Sequence, residues 1–140
     1  MTIKQTQIFK NIPQKINNNQ VLHLIKGGEV NYQYLSFIKE LSNLNDEVIS
    51  ACLNMNVKTY RNFKKTKSAI KEDVQEHVIM ILALIKHGID VFGNNDNFNK
   101  WLYTDNFYFN KKKPIEFLNT ISGIKLIDDR LTGMEYGDNA

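Results

Sequence analysis

Between Lys58 and Lys71 the chain carries six basic residues and no acidic one. Within that run the stretch K-T-Y-R-N-F-K-K combines two chemistries. Lys58, Arg61, Lys64 and Lys65 can neutralise phosphates, while Thr59 and Asn62 can offer hydrogen bonds to base edges or to the nucleic-acid backbone. A second stretch, W-L-Y-T-D-N-F-Y-F-N-K-K-K-P-I-E-F-L-N-T over residues 101–120, sets six aromatic rings among lysines and asparagines. A buried core accounts for the rings but not for Lys111, Lys112 and Lys113, and a solvated loop accounts for the lysines but wastes the rings. A surface that waits for a partner accounts for both. Trp101 and Leu102, at helical spacing from Phe98, read as core. Phe107, Tyr108 and Phe109 cannot all face inward from one extended loop, and exposed aromatics rimmed by polar groups mark protein interaction sites.

Catalytic chemistry finds little support. Gly27-Gly28 stands alone, without the spaced glycines and lysine of a phosphate-cradling loop, so no nucleotide cofactor is expected. His23, His77 and His87 show no i, i+4 pairing and read as ordinary surface or packed histidines, so no metal site is expected. Asp128-Asp129 and Glu135 could serve as acid and base, yet adjacent carboxylates on a helix near the end of the chain read as a solvated face or a partner contact. Cys52 is the only cysteine, which excludes an intrachain disulfide and fits a reducing compartment. Lying between Ile49 and Leu53 at helical spacing, it reads as a packed, inert thiol. The expectation is a protein that is not an enzyme.

A chain of 140 residues, 42% hydrophobic and 24% charged, is enough for one domain or two small helical subdomains sharing a core. No run approaches the roughly 18 apolar residues of a membrane span, and the polar start lacks the apolar stretch of a signal peptide, so a cytoplasmic protein is expected. The net charge of +3 is modest and only two of the eighteen cationic side chains, Arg61 and Arg130, are arginine. Charge distribution says more than the total. The basic run at 58–71 contrasts with Asp128, Asp129, Glu135 and Asp138, which suggests different partners for different ends.

The elements that must position these groups are helical. Residues 1–19, with Pro13 and the run Asn17-Asn18-Asn19, read as an irregular arm ending at a helix cap, followed by a short helix that Gly27-Gly28 ends. Tyr34, Ile38 and Leu41 mark an amphipathic helix from Asn31. Asn45 or Asp46 caps a shorter helix through Leu53, the turn Asn54-Met55-Asn56 follows, and a further helix carries the basic run, which is the order of a helix-turn-helix. Val74, Val78, Ile81, Ile85, Ile89 and Phe92 define one face of a long central helix over 71–92, closed by Gly93 and expected to touch the helix-turn-helix on one side and the C-terminal segment on the other. A helix across Phe98 and Trp101, the aromatic loop, a turn opened by Pro114 and a helix from about Thr120 to Arg130 complete an all-α fold.

Several motifs, in order, carry a resemblance. Met55-Asn56-Val57-Lys58-Thr59-Tyr60, Val91-Phe92-Gly93, Trp101-Leu102-Tyr103-Thr104-Asp105-Asn106, Lys113-Pro114-Ile115-Glu116-Phe117-Leu118-Asn119-Thr120, Gly123 and Met134-Glu135-Tyr136-Gly137 together resemble the Xre/MbcA/ParS antitoxins of RES–Xre toxin–antitoxin pairs. The similarity covers about residues 44–137. It departs from the family pattern at Asn54 (a turn glycine), Asn62 (often arginine), Asp105 (a proline), Asn119 (an aspartate) and Thr132-Gly133 (glycine-arginine). The resemblance implies a helix-turn-helix domain over 31–93 that represses its own operon, in a homodimer, and a toxin-binding domain over 94–140 that blocks a RES-type, NAD-degrading toxin. Residues 1–30 then form an N-terminal arm and short helix. Implied operator contacts are Lys58, Thr59, Arg61, Asn62, Lys64 and Lys65; implied toxin contacts are Trp101, Asn106, Phe107, Tyr108, Lys113, Pro114, Glu135 and Tyr136. The competing reading is a non-DNA-binding protein-interaction module, or an orphan transcriptional regulator, with a helix-turn-helix degenerate at Asn54 and Asn62.

Overall fold

The computed structural model describes residues 1–140. The order is α1 (Ile3–Asn11), α2 (Asn18–Lys26), α3 (Tyr32–Ser42), α4 (Asp46–Cys52), α5 (Val57–Thr66), α6 (Glu72–Phe92), α7 (Asn95–Leu102), 3-10 turns at Phe107–Phe109 and Pro114–Phe117, and α8 (Ile121–Glu135). The protein is all-α; one isolated bridge between Asn106 and Lys112 is its only extended pairing.

Asparagine does much of the local work. Asn17, Asn31, Asn45, Asn56 and Asn94 each accept a backbone N–H of the first turn of α2, α3, α4, α5 and α7, satisfying donors that a helix start otherwise leaves unpaired. Asn43, Asn54 and Asn110 adopt left-handed backbone with φ of 59°, 58° and 53°, a region that asparagine tolerates better than other side chains.

Residues 3–11 are helical, where an irregular arm was expected. Thr2 and Gln5 form a reciprocal capping box, and Lys86 of α6 donates to the Phe9 and Ile12 carbonyls at 2.9 and 3.0 Å. A cation closing the C-terminal carbonyls of a helix is favourable, and it fixes α1 on the body of the protein. The Thr2-x-x-Gln5 spacing was the available signal.

Helix α6 is buried on all sides from His77 to Ile85, as expected of a helix apolar all round. It is clasped by α2, α3, α7 and α8. The pair α4–α5 packs chiefly on itself and on α3 rather than on α6, so α3 carries the helix-turn-helix. One core cluster of 32 buried residues runs from Ile8 to Leu131. Two glycines permit its closest approaches: a Cβ on Gly88 would meet the Phe98 ring at 2.4 Å, and one on Gly123 would meet the Phe117 carbonyl oxygen at 1.8 Å.

Candidate functional site

The basic helix α5 follows its turn through Asn54, and Asn56 caps it by accepting the Thr59 N–H at 2.8 Å. Lys58, Thr59, Asn62 and Lys65 are exposed along it. Arg61 is exposed and Lys64 half-buried, and both also contact α4 or the Tyr60 ring. Arg61 Nε donates to Asp46 Oδ2 at 2.9 Å and Nη2 to Glu47 Oε1 at 3.3 Å; Lys64 Nζ lies 3.6 Å from Asp46 Oδ1 and 4.3 Å from the centre of the Tyr60 ring. With Lys39 also donating at 3.0 Å, Asp46 gathers three cations. The Arg61 and Lys39 hydrogen bonds hold its carboxyl down at about 2, because each favours the ionised form. Of the six residues expected at an operator, Arg61 and Lys64 also pair α5 with α4. The turn itself is tied to the C-terminal segment, Asn54 Nδ2 donating to the Asn119 carbonyl at 2.8 Å.

In the second region α7 buries Trp101 against Phe92 and Phe98, with ring centres 5.6 and 6.1 Å away. The loop that follows is built on Asn106, which is buried. Its N–H donates to the Lys112 carbonyl at 3.0 Å, its own carbonyl accepts from Lys111 at 2.9 Å, and its side chain accepts the Tyr108 N–H at 2.9 Å. Phe109 turns inward onto Phe117, with centres 5.3 Å apart. Its neighbours turn outward: Phe107 is 83% exposed and Tyr136 80%, and Tyr108 is exposed beside Phe107. Pro114 is buried at the start of its turn, while Lys113 is exposed.

The eight residues expected to face a toxin thus divide. Phe107, Tyr108, Lys113 and Tyr136 are available at the surface; Trp101, Asn106 and Pro114 are buried and position the loop. Glu135 is exposed, with its carboxylate directed at His87. Its Oε1 meets His87 Nε2, while His87 Nδ1 meets Asp128 Oδ1 at 2.7 Å. His87 is packed, as expected, but between two carboxylates, and the expectation of a solvated face is corrected for Asp128, which is buried, whereas Asp129 and Glu135 are exposed. With both carboxylates ionised and therefore accepting, the ring donates from both nitrogens and carries both protons. Burial opposes that charge, but the hydrogen bonds and charges of Asp128 and Glu135 overcome it and raise the His87 pKa above its ordinary value. The signal in the sequence was positional. Asp128 falls between the buried Ile124, Ile127 and Leu131 on α8, and His87 lies on the inward side of α6.

The two carboxylates approach opposite edges of the imidazole and do not converge on one point; no group of three or more His, Cys, Asp or Glu side chains has an arrangement that could hold a metal ion. Cys52 is buried and its thiol is pushed up to about 11 by that burial, which suppresses the reactive thiolate. It also borders a groove of about 580 Å³ with Val48, Ala51, Tyr103 and Ile115. No helix is long and apolar enough to cross a membrane.

The architecture is that of an all-α protein with a helix, tight turn and basic helix, followed by an aromatic loop held by buried anchors. Residues 87–137, which contain that loop, match the family model described as the antitoxin Xre/MbcA/ParS C-terminal toxin-binding domain. This segment is similar to that domain, and the match supports an antitoxin role with a toxin as partner. No curated protein matches the chain.

Proposed function

We propose that this protein is a cytoplasmic antitoxin, without catalytic activity of its own, that neutralises a RES-type NAD-degrading toxin through the exposed side chains Phe107, Tyr108, Lys113 and Tyr136. The observation that carries the reading is the exposure of large aromatic side chains inside the one segment that matches a toxin-binding domain. Aromatic residues rimmed by polar groups are the usual anchors of protein interfaces. Trp101, Asn106 and Pro114 hold the loop in shape, and Glu135 ties the end of α8 to His87 of α6. The test is toxin inhibition: the protein suppresses NAD consumption by a RES-type toxin, and Phe107→Ala with Tyr136→Ala relieves the suppression without lowering thermal stability.

The same reading assigns autorepression to α5, in a homodimer that doubles the contact, with Lys58, Thr59, Asn62 and Lys65 at the operator. Operator binding through several lysines falls steeply with added salt. A second reading is favoured by the ion pairs of Arg61 and Lys64 with Asp46: a protein-interaction module in which α4–α5 serves only folding or dimerisation. Flat salt dependence, or DNA retention unchanged by Lys58→Ala with Lys65→Ala, would favour that second reading.

A further inference from the structure

Residues 138–140 lie across the loop face. Arg130 of α8 directs Nη1 to the Asp138 carboxylate at 3.2 Å and Nη2 to the Asn139 carbonyl, while its guanidinium rests 3.6 Å from the centre of the Tyr108 ring. Trp101 Nε1 and Asn106 Nδ2 converge on the Ala140 carbonyl at 3.5 and 3.3 Å. Three side chains from α7, the loop and α8 thus aim four N–H groups at one short stretch of acceptors. The donors are set into the wall of the protein: Trp101 and Asn106 are buried, and the Arg130 side chain is 11% accessible. Arg130 Nε is buried with no partner, so the cluster has more donors than the stretch satisfies. Gly133 completes the seat, because a Cβ there would come within 2.6 Å of Asp138 Oδ2.

The seat is buried and its occupant exposed, the stretch being tied to α8 by one backbone bond, Asp138 N–H donating to the Gly133 carbonyl at 3.1 Å. Residues 138–140 are all exposed, the Asp138 side chain is 57% accessible, and no side chain of the stretch enters the core. Polar contacts at an exposed site hold weakly, whereas pre-set donors bind any extended chain that offers a carboxylate and carbonyls in the same order.

We infer that Trp101, Asn106 and Arg130 form a binding site for an extended acidic peptide, that residues 138–140 occupy it in cis, and that an acidic extended segment of the partner displaces them. The identity of the displacing chain rests on the antitoxin reading; the existence of the site does not.

Trp101 is the only tryptophan, so its indole N–H gives one resonance in a ¹⁵N–¹H spectrum of the full-length protein. The probe is the capped peptide acetyl-Tyr-Gly-Asp-Asn-Ala-amide. Gly133→Ala and Asp138→Asn each loosen the stretch: the indole resonance moves, its exchange with water accelerates several-fold, and the peptide binds at least tenfold more tightly than to the unaltered protein. Adding Arg130→Gln to Gly133→Ala abolishes that binding while the melting curve stays cooperative, and the peptide with Asn for Asp binds at least tenfold more weakly. An indole resonance and exchange rate identical in all variants, or no gain in peptide binding, overturns the inference while leaving the toxin-binding reading intact. In a separate titration with a RES-type toxin, Asp138→Asn tightens binding several-fold if the partner displaces the stretch; binding that is unchanged or weaker overturns displacement by the partner. Absence of toxin binding by the unaltered protein sinks the antitoxin reading and leaves the peptide result standing.

Discussion

His87 sits between two carboxylates, and its consequence for stability has a definite sign. Its folded pKa lies above the unfolded value, near 6.5 for a free histidine. The folded protein therefore holds a proton that the unfolded chain releases, and the associated stability is fully present below about pH 6.5 and is lost as pH rises through the raised folded value. Urea denaturation should show a falling midpoint across that window, and His87→Gln should flatten the fall. Asp46 behaves oppositely. With its folded pKa at about 2 against the reference 3.8, it contributes stability above the unfolded value that is lost as acid approaches pH 2. Neither group was legible as a partner in the sequence. His87 and Asp128 are 41 residues apart, and local spacing reports nothing about which inward faces of two helices will meet. The exposed rings were more accessible to reasoning, because three consecutive aromatics in a loop exceed what one side of it can bury.

Among the elements, helix order and most boundaries followed from apolar spacing and asparagine caps. Asn17, Asn31 and Asn45 precede periodic runs, and Gly93 follows one with φ of 89°. The first helix has few apolar residues; what holds it is the burial of Ile8 and Ile12 in the core together with Lys86, a contact from a distant helix that no local pattern announces. Gly123 carries a prediction at this scale. A methyl there would press on the Phe117 carbonyl at 1.8 Å, forcing α8 off the Pro114 turn, so Gly123→Ala should cost at least about 2 kcal/mol, read as a lowered midpoint in thermal or chemical unfolding. The basic helix offers a different test. Asp46→Asn removes the partner that Arg61 and Lys64 share, so it should lower the melting temperature while strengthening DNA retention if α5 faces an operator. Lower stability with unchanged retention would point to a purely structural α4–α5 pair.

Across the whole molecule, one core joins a basic helix to an aromatic loop, and the Asn54 to Asn119 hydrogen bond ties the turn before one to the segment beside the other. The architecture explains how buried and exposed aromatics coexist in a single stretch: Trp101 and Phe109 anchor, while Phe107 and Tyr108 face out. The loop's aromatic character was readable in advance, whereas its folding back around Asn106 was not, since that depends on four bonds to one side chain and its backbone. The most direct test of the central claim is the affinity of the purified protein for a RES-type toxin, measured by calorimetry, with and without Phe107→Ala and Tyr136→Ala. The account predicts tight binding that each substitution weakens by about 10- to 100-fold, the range expected for aromatic anchors, with unfolding midpoints unchanged. Equal affinity for all three proteins would contradict it and assign toxin recognition to some other face.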